Sequence, residues 1–223
     1  TISVSFWVNL EHASDNCRIV ITPGFEIYAN NSYMYVEFND TGADETNHRW
    51  NRPAINQWHH YTIQIDTTNI DNSPIVYKNG EPVSVTDVGG AGTGAAANLT
   101  NIYIGDRSSG HTVDELQGSL QDLVIWNSGL NQDDARILYN SGSWYDLHFH
   151  PSASSIHDWW ALGEEGNVGQ AVGNALSTGI AITTLAPTIG SHTLTLYDNT
   201  KVKVSQGVHE TPKTNLDFWV EVT

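Results

Sequence analysis

The run His48-Arg49-Trp50-Asn51-Arg52 sets an indole between two guanidinium groups, with an imidazole and an amide beside them. An aromatic ring supplies apolar surface, and Arg and Asn supply directional donors, the pairing of chemistries that holds a sugar ring. The surrounding stretch, Asn39 to Asn56, is polar and turn-rich and reads as a loop long enough to reach outward. There Trp50 either forms a binding platform with His48, Arg49 and Arg52 or staples the loop onto the body beneath. Tyr33 and Tyr35 alternate onto one strand face and make a second platform. Other sets are less complete. His148-x-His150 would share one face of an extended segment, and His59-His60 are adjacent, yet no Cys or nearby carboxylate completes a zinc site around either. No nucleophile-elbow motif supports a Ser/His/Asp triad. The Gly/Ala loop from Gly89 to Ala97 lacks the spacing and the following Lys-Ser/Thr of a phosphate cradle.

Net charge narrows the partners. The chain carries 25 acidic against 9 basic residues, a formal charge of -16. Nothing in that balance could neutralise a row of phosphates, so nucleic acid is excluded as a partner. The acid is scattered, which fits a self-repelling soluble surface or divalent-cation binding rather than a disordered tail. Eight Trp and nine Tyr are too many for a disordered chain. Cys17 stands alone, so no disulfide forms within the chain, and core size must stabilise it. No apolar run approaches the length of a membrane span, so membrane insertion is not expected.

Short alternating runs must position these residues. Ile2 to Leu10, Arg18 to Ile21, Phe25 to Tyr28, Tyr33 to Phe38 and Trp58 to Ile65 read as strands, with Pro23-Gly24 as a turn. Asn79-Gly80 between two β-prone runs predicts a tight hairpin, because both residues tolerate positive φ. Asn101 to Gly105 and Gly118 to Trp126 resume strands. A short helix follows: Asn131 caps it, Asp133 and Asp134 occupy its positive first turn, and Gly142 ends it. Beyond Trp144 the text turns Gly-, Ala- and Thr-rich, with β-like runs at Ile180 to Leu185, Thr193 to Tyr197 with Lys201 to Val204, and Leu216 to Val222. The expected class is all-β: an antiparallel two-sheet sandwich with one short helix and a β-rich C-terminal extension, divided at 1–147 and 148–223.

Six motifs in order carry a resemblance: Ser3-Val-Ser-Phe-Trp-Val8, Trp58-His-His-Tyr61, Val76-Tyr-Lys-Asn-Gly80, Ile102-Tyr-Ile-Gly105, Gly118-Ser-Leu-Gln-Asp-Leu-Val-Ile-Trp-Asn127 and Leu138-Tyr-Asn-Ser-Gly142. Together they resemble a laminin-G-like module, the concanavalin A-like lectin/glucanase jelly roll, over roughly residues 1 to 145. Trp159-Trp160 and Leu162-Gly163 after the helix are similar to modules of phage virion and tail-associated proteins. Family members usually carry one more strand before the Ser-Phe-Trp strand, and Leu216 to Val222 is the candidate to supply the missing edge.

The resemblance implies a structural Ca²⁺ held by Asp122 with backbone carbonyls, since hard Ca²⁺ favours carboxylate and carbonyl oxygens, and Asp106, Asp114 and Glu115, which flank the preceding loop, could contribute. Glucanases of this kind space their acids along one strand as Glu-x-Asp-x-(x)-Glu, and no such spacing occurs here. Glu26 and Glu37 could meet across paired strands. The implied function is a non-catalytic lectin-like protein of a virion or extracellular surface, adhering to glycan or cell-surface polysaccharide. The alternative is a capsid or tail decoration domain that packs on sister subunits or other virion proteins and binds no sugar. A glycoside hydrolase ranks last.

Overall fold

Apolar side chains recur at every second position through most of the extended segments, and that period places one row of each strand in a shared core. The computed structural model describes residues 1–12, 17–38, 46–89, 102–105, 116–160 and 162, with the backbone alone of 180–181 and 194–196. Its strands are β1 (Ile2–Leu10), β2 (Cys17–Ile21), β3 (Phe25–Ala29), β4 (Tyr33–Phe38), β5 (Thr46–Asn51), β6 (Trp58–Ile65) and β7 (Ile75–Lys78). They continue as β8 (Glu81–Val83), β9 (Thr86–Asp87), β10 (Ile102–Ile104), β11 (Gly118–Trp126), β12 (Ile156–Trp160), β13 (Ile180–Ala181) and β14 (Leu194–Leu196). One helix, α1 (Gln132–Tyr139), joins the last long strands.

Two sheets form. The smaller runs β12-β11-β1-β6-β7-β8 and the larger β13-β14-β10-β2-β3-β4-β5-β9. The pairings are antiparallel apart from β10 with β14. Between the sheets lie Val4, Phe6 and Val8 of β1, Ile27 and Val36 of β3 and β4, Ile63 of β6, and Leu123 and Ile125 of β11. This is the expected jelly-roll sandwich.

The smaller sheet is buried on both sides. Its second face packs Val124, Trp126 and Trp159 against Leu130 and Leu138 from the α1 region and Leu147 from the 3-10 turn Leu147–Phe149. Outward Ser3 fastens that cover, its Oγ accepting from Leu130 N–H at 2.9 Å, while Ser5 Oγ accepts from Trp126 Nε1 of the same sheet at 2.9 Å. Asn131 caps α1 as expected, its side chain accepting from the N–H groups of Asp133 and Asp134 while the Asp134 carboxylate accepts from Asn131 N–H. The helix ends earlier than expected, at Asn140, which takes the left-handed conformation (φ 43°) usually left to glycine. The Asn79-Gly80 hairpin forms between β7 and β8 with both residues at positive φ.

Two boundaries differ from the sequence reading. The stretch expected as a loop, Asn39 to Asn56, contains β5, because Thr46, His48 and Trp50 alternate inward with Asn47, Arg49 and Asn51 outward and the strand zips onto β4. The sandwich also runs past residue 147, since β12 pairs with β11 and Trp160 enters the inter-sheet core. Beside β10 the edge is extended by β14, while Leu216 to Val222 lies outside the described residues.

Candidate functional site

Strand register builds one polar and aromatic face on the outside of the larger sheet. Arg18, Tyr28, Tyr35 and Arg49 stand opposite one another on β2 to β5, forming one row across the strands. Ile21, Glu26, Glu37 and Asn47 form the next row. Within the first row the Arg18 guanidinium lies 4.1 Å from the Tyr28 ring centre, and Tyr28 stacks on Tyr35 at 4.7 Å with the planes 7° apart. Tyr33 meets Tyr35 edge-on at 6.3 Å, and Arg49 lies 4.1 Å over Tyr33. The result is a continuous ladder of guanidinium, three phenol rings and guanidinium. Each cation–π step contributes about 0.5–2 kcal/mol, depending on how dry it is.

The acidic row is engaged with the ladder. Glu26 and Glu37 do meet as register partners, and both are buried. Glu26 forms an ion pair with Arg18 at 2.5 Å. Glu37 accepts a hydrogen bond from Tyr28 OH at 2.8 Å. Burial first, then the neighbouring Glu37, pushes the Tyr28 phenol well above its ordinary range, so it stays a donor. Tyr35 OH accepts from Asn30 Nδ2 at 3.1 Å.

Polar demand on this face is not fully met. Among the described residues, Arg18 Nε and Asn47 Oδ1 are buried without a hydrogen-bond partner. The Arg18 side chain is only about 5% exposed, so its orphaned donor is costly unless a water or ligand oxygen meets it. Tyr33, Tyr35 and Arg49 are half-buried, and Asn51 at the end of β5 is exposed.

The residues expected to form one platform are split between the two sides of β5. Trp50 is 2% exposed, sits in the inter-sheet core and lies 6.1 Å from Tyr61. His48 is equally buried. Its Nε2 faces the carbonyl of Ile70 at 3.2 Å, so that nitrogen carries the proton and Nδ1 accepts from Ser73 Oγ at 3.4 Å. Both side chains point inward because the strand period places them opposite Met34 and Val36. Arg49 points outward into the ladder. Arg52, just beyond β5, donates from Nη1 to the carbonyl of His12 at 3.2 Å. The second platform, Tyr33 and Tyr35, is therefore the one at the surface. Among the described residues neither histidine set joins a group of three metal-ligating side chains: His60 lies against Trp7, and Ser152 N–H donates to His150 Nδ1.

A family model described as the concanavalin A-like lectin/glucanases superfamily (Laminin_G_3) matches residues 1–136. The chain belongs to this superfamily. Among solved structures it is similar to a candidate carbohydrate binding protein of Bacteroides ovatus ATCC 8483, at 18% identity and a TM-score of 0.51 over 74% of this chain. The match covers 47% of that protein, so the chain spans about half its length. It is also similar to the botulinum neurotoxin serotype C1 binding domain, at 16% identity and TM-score 0.44 over 63% of this chain and 36% of that one. A third is the Trypanosoma rangeli sialidase, at 15% identity and TM-score 0.44 over 63% of this chain and 23% of that one. These likenesses concern the fold. A comparison with curated proteins gives no match.

For this member of the concanavalin A-like superfamily, the expected Ca²⁺ turns on Asp122. That residue is buried at a bulge in β11, where Asp122 and Leu123 oppose Phe6 alone on β1, and its φ is 47°. Its carboxylate accepts from Trp159 Nε1 at 3.2 Å and from Gln121 Nε2 at 3.5 Å, with the Trp144 side chain a further donor. Burial pushes the Asp122 carboxyl up to about 7, against the pull of those donors. An indole N–H aims a proton at the oxygens that a cation would need. Among the described residues no group of three or more His, Cys, Asp or Glu stands together for a metal. The described surroundings of Asp122 thus do not fit a Ca²⁺ shell, and Asp106 and Asp114 lie outside the described residues. The bulge has a signal in the sequence: Leu120 and Leu123 both reach the core at a spacing of three where two is the rule.

Proposed function

We propose that this chain is a non-catalytic, lectin-like module that binds glycan through the outer face of its larger sheet. The observation that carries the reading is the ladder of Arg18, Tyr28, Tyr35, Tyr33 and Arg49, bordered by the buried, unpartnered Arg18 Nε and Asn47 Oδ1. Rigid aromatic side chains and fixed donors at a half-open surface suit a hydroxyl-rich ligand, whose oxygens can meet the orphaned groups. The engagement of Glu26 by Arg18 and of Glu37 by Tyr28 favours binding over acid–base chemistry. The Bacteroides ovatus protein, named for carbohydrate binding, supports the same direction. Display on a virion or other extracellular surface, for adhesion to cell-surface polysaccharide, completes the reading. No helix among the described residues is long and apolar enough to cross a membrane.

A glycan array probed with the wild type and with Tyr35→Ala tests this. Binding that disappears in Tyr35→Ala, with the far-UV spectrum unchanged, supports the reading. One observation favours the competing assembly role: Phe149 is 78% exposed beside the half-buried Tyr145, whose OH donates to its carbonyl. An array without signal, together with a homo-oligomer by light scattering that Phe149→Ser dissolves, would replace the lectin with a decoration domain.

A further inference from the structure

We infer that the glycan face is built for an acidic saccharide, with Arg49 as the side chain that grips its carboxylate. The inference rests on the lectin reading and deepens it. Sugar sites that take neutral rings expose an open aromatic face for the sugar's C–H groups. Here both faces of Tyr28, one face of Tyr35 and one of Tyr33 are taken up inside the ladder. Tyr28 has the Arg18 guanidinium on its β2 side and Tyr35 on its β4 side. Tyr35 meets Tyr28 face to face and Tyr33 edge to face, and Tyr33 carries Arg49. Arg18 and Tyr28 are buried and engaged with Glu26 and Glu37, so what the ladder offers outward is its half-buried end: the Tyr33 and Tyr35 hydroxyls and the Arg49 guanidinium. That is a donor surface.

Charge on the face points the same way. In a chain of net -16, Arg18 and Arg49 are two of the five Lys and Arg among the described residues, and both stand here. Glu26 and Glu37 balance them, so the face sums to zero while the rest of the chain carries the acid. The two carboxylates are held within the face, Glu26 by Arg18 and Glu37 by Tyr28 OH. Arg49 differs: its described side-chain contact is the Tyr33 ring, which holds the guanidinium over the phenol and leaves its N–H fork to an incoming group. A planar fork matches a planar carboxylate through two parallel bonds, and stacking beforehand reduces the ordering cost of forming them. Asn51, exposed at the end of β5 opposite Tyr33, lies where the hydroxyls of the same sugar would fall.

The test is a glycan array carrying carboxylated, sulfated and neutral saccharides, followed by calorimetry on the best binder and on its methyl ester, which removes the charge and keeps the sugar. Carboxylated saccharides are expected to lead. Arg49→Ala should weaken binding about 10- to 100-fold, the usual value of a charge-assisted bidentate pair. Arg49→Lys keeps the charge, loses the fork and should recover only part of that loss. Affinity should fall as NaCl rises, and the methyl ester should bind like the Arg49→Ala protein binds the free acid. Matching melting curves establish that both variants are folded. Neutral saccharides bound as tightly and indifferently to Arg49→Ala would overturn the acidic ligand while leaving the lectin reading standing. Sulfated saccharides leading, with Arg49→Lys equal to wild type, would overturn the carboxylate fork in favour of simple charge. No binding of any saccharide would overturn both.

Discussion

Replacing Asp122 by Asn should raise stability at alkaline pH and leave it nearly unchanged in acid. The folded carboxyl is held near 7 against 3.8 for a free one, chiefly by burial, a gap of about three units. At ~1.4 kcal/mol per unit the linkage is worth roughly 4 kcal/mol. Its sign follows from proton uptake. Between pH 4 and 7 the folded chain keeps a proton that the unfolded chain releases. The contribution is therefore complete below about pH 4, is lost as pH rises to about 7, and is flat beyond. Asn has the same shape and no charge. One amide oxygen still accepts from Trp159, and Gln121 can turn its own oxygen toward the new amide. The unfolded carboxyl is already mostly ionised at pH 4.5, so the difference between Asp122→Asn and wild type should grow by roughly 3 kcal/mol from pH 4.5 to pH 8.

Urea unfolding followed by tryptophan fluorescence at pH 4.5, 6 and 8 measures that difference. A gap between the two proteins that stays constant across this range would refute the argument. Ca²⁺ supplies a second reading of the same variant. If a millimolar addition raises the midpoint of the wild type at pH 8 but not that of Asp122→Asn, the carboxylate holds an ion, and the hydrogen-bonded picture of Asp122 is wrong.

His60 titrates with the opposite sign. Burial lowers it to about 3, so stability is lost as pH falls from about 6.5 toward 3, and His60→Phe should flatten that limb in the same urea series. Trp50→Ala should destabilise by about 3–5 kcal/mol, the cost of emptying a core position, and a melting temperature equal to wild type would return Trp50 to the surface. Asn131→Ala removes the acceptor for two helix N–H groups and should cost about 1 kcal/mol in chemical unfolding. Gly80→Ala places a Cβ 2.8 Å from Arg136 Cγ at a φ of 79°, so it should cost more than about 1 kcal/mol, and an unchanged urea midpoint would contradict the turn geometry.

The strands with apolar inward rows could be read directly from alternation, and so could the hairpin at Asn79-Gly80 and the cap at Asn131. β5 could not. Its inward row is Thr46, His48 and Trp50, two of them polar, and what makes them tolerable inside is invisible locally: the Ile70 carbonyl and Ser73 hydroxyl, more than twenty residues away, satisfy His48. A polar strand then looks like a loop, and Trp50 looks like a loop tip. Tyr33 and Tyr35 could be assigned to one face from their spacing. That Arg18, Tyr28 and Arg49 join them depends on registers between four strands, including a shift between Arg18 and Val20 on β2. Spacing within one segment carries no information on that alignment.

Why the larger sheet should carry the function follows from how the four sheet faces are used. Two face each other across the inter-sheet core. The outer face of the smaller sheet is closed by the second apolar cluster, where Trp126 and Trp159 meet Leu130, Leu138 and Leu147. Cover there is fastened by the buried hydrogen bond from Leu130 N–H to Ser3, so opening it would expose apolar surface and strand polar groups together. The remaining face alternates the other way, with Arg, Tyr, Glu and Asn where its partner sheet has Val, Trp and Ser. A ladder of stacked side chains stabilises that face without making it apolar, since a cation–π contact such as that of Arg49 with Tyr33 leaves the guanidinium N–H groups available to a ligand. On the proposed reading, stability and recognition rest on the same five residues. The Tyr35→Ala and Arg49→Ala proteins separate the two, because removing a middle rung breaks the ladder, whereas removing its end leaves Tyr28 stacked on Tyr35.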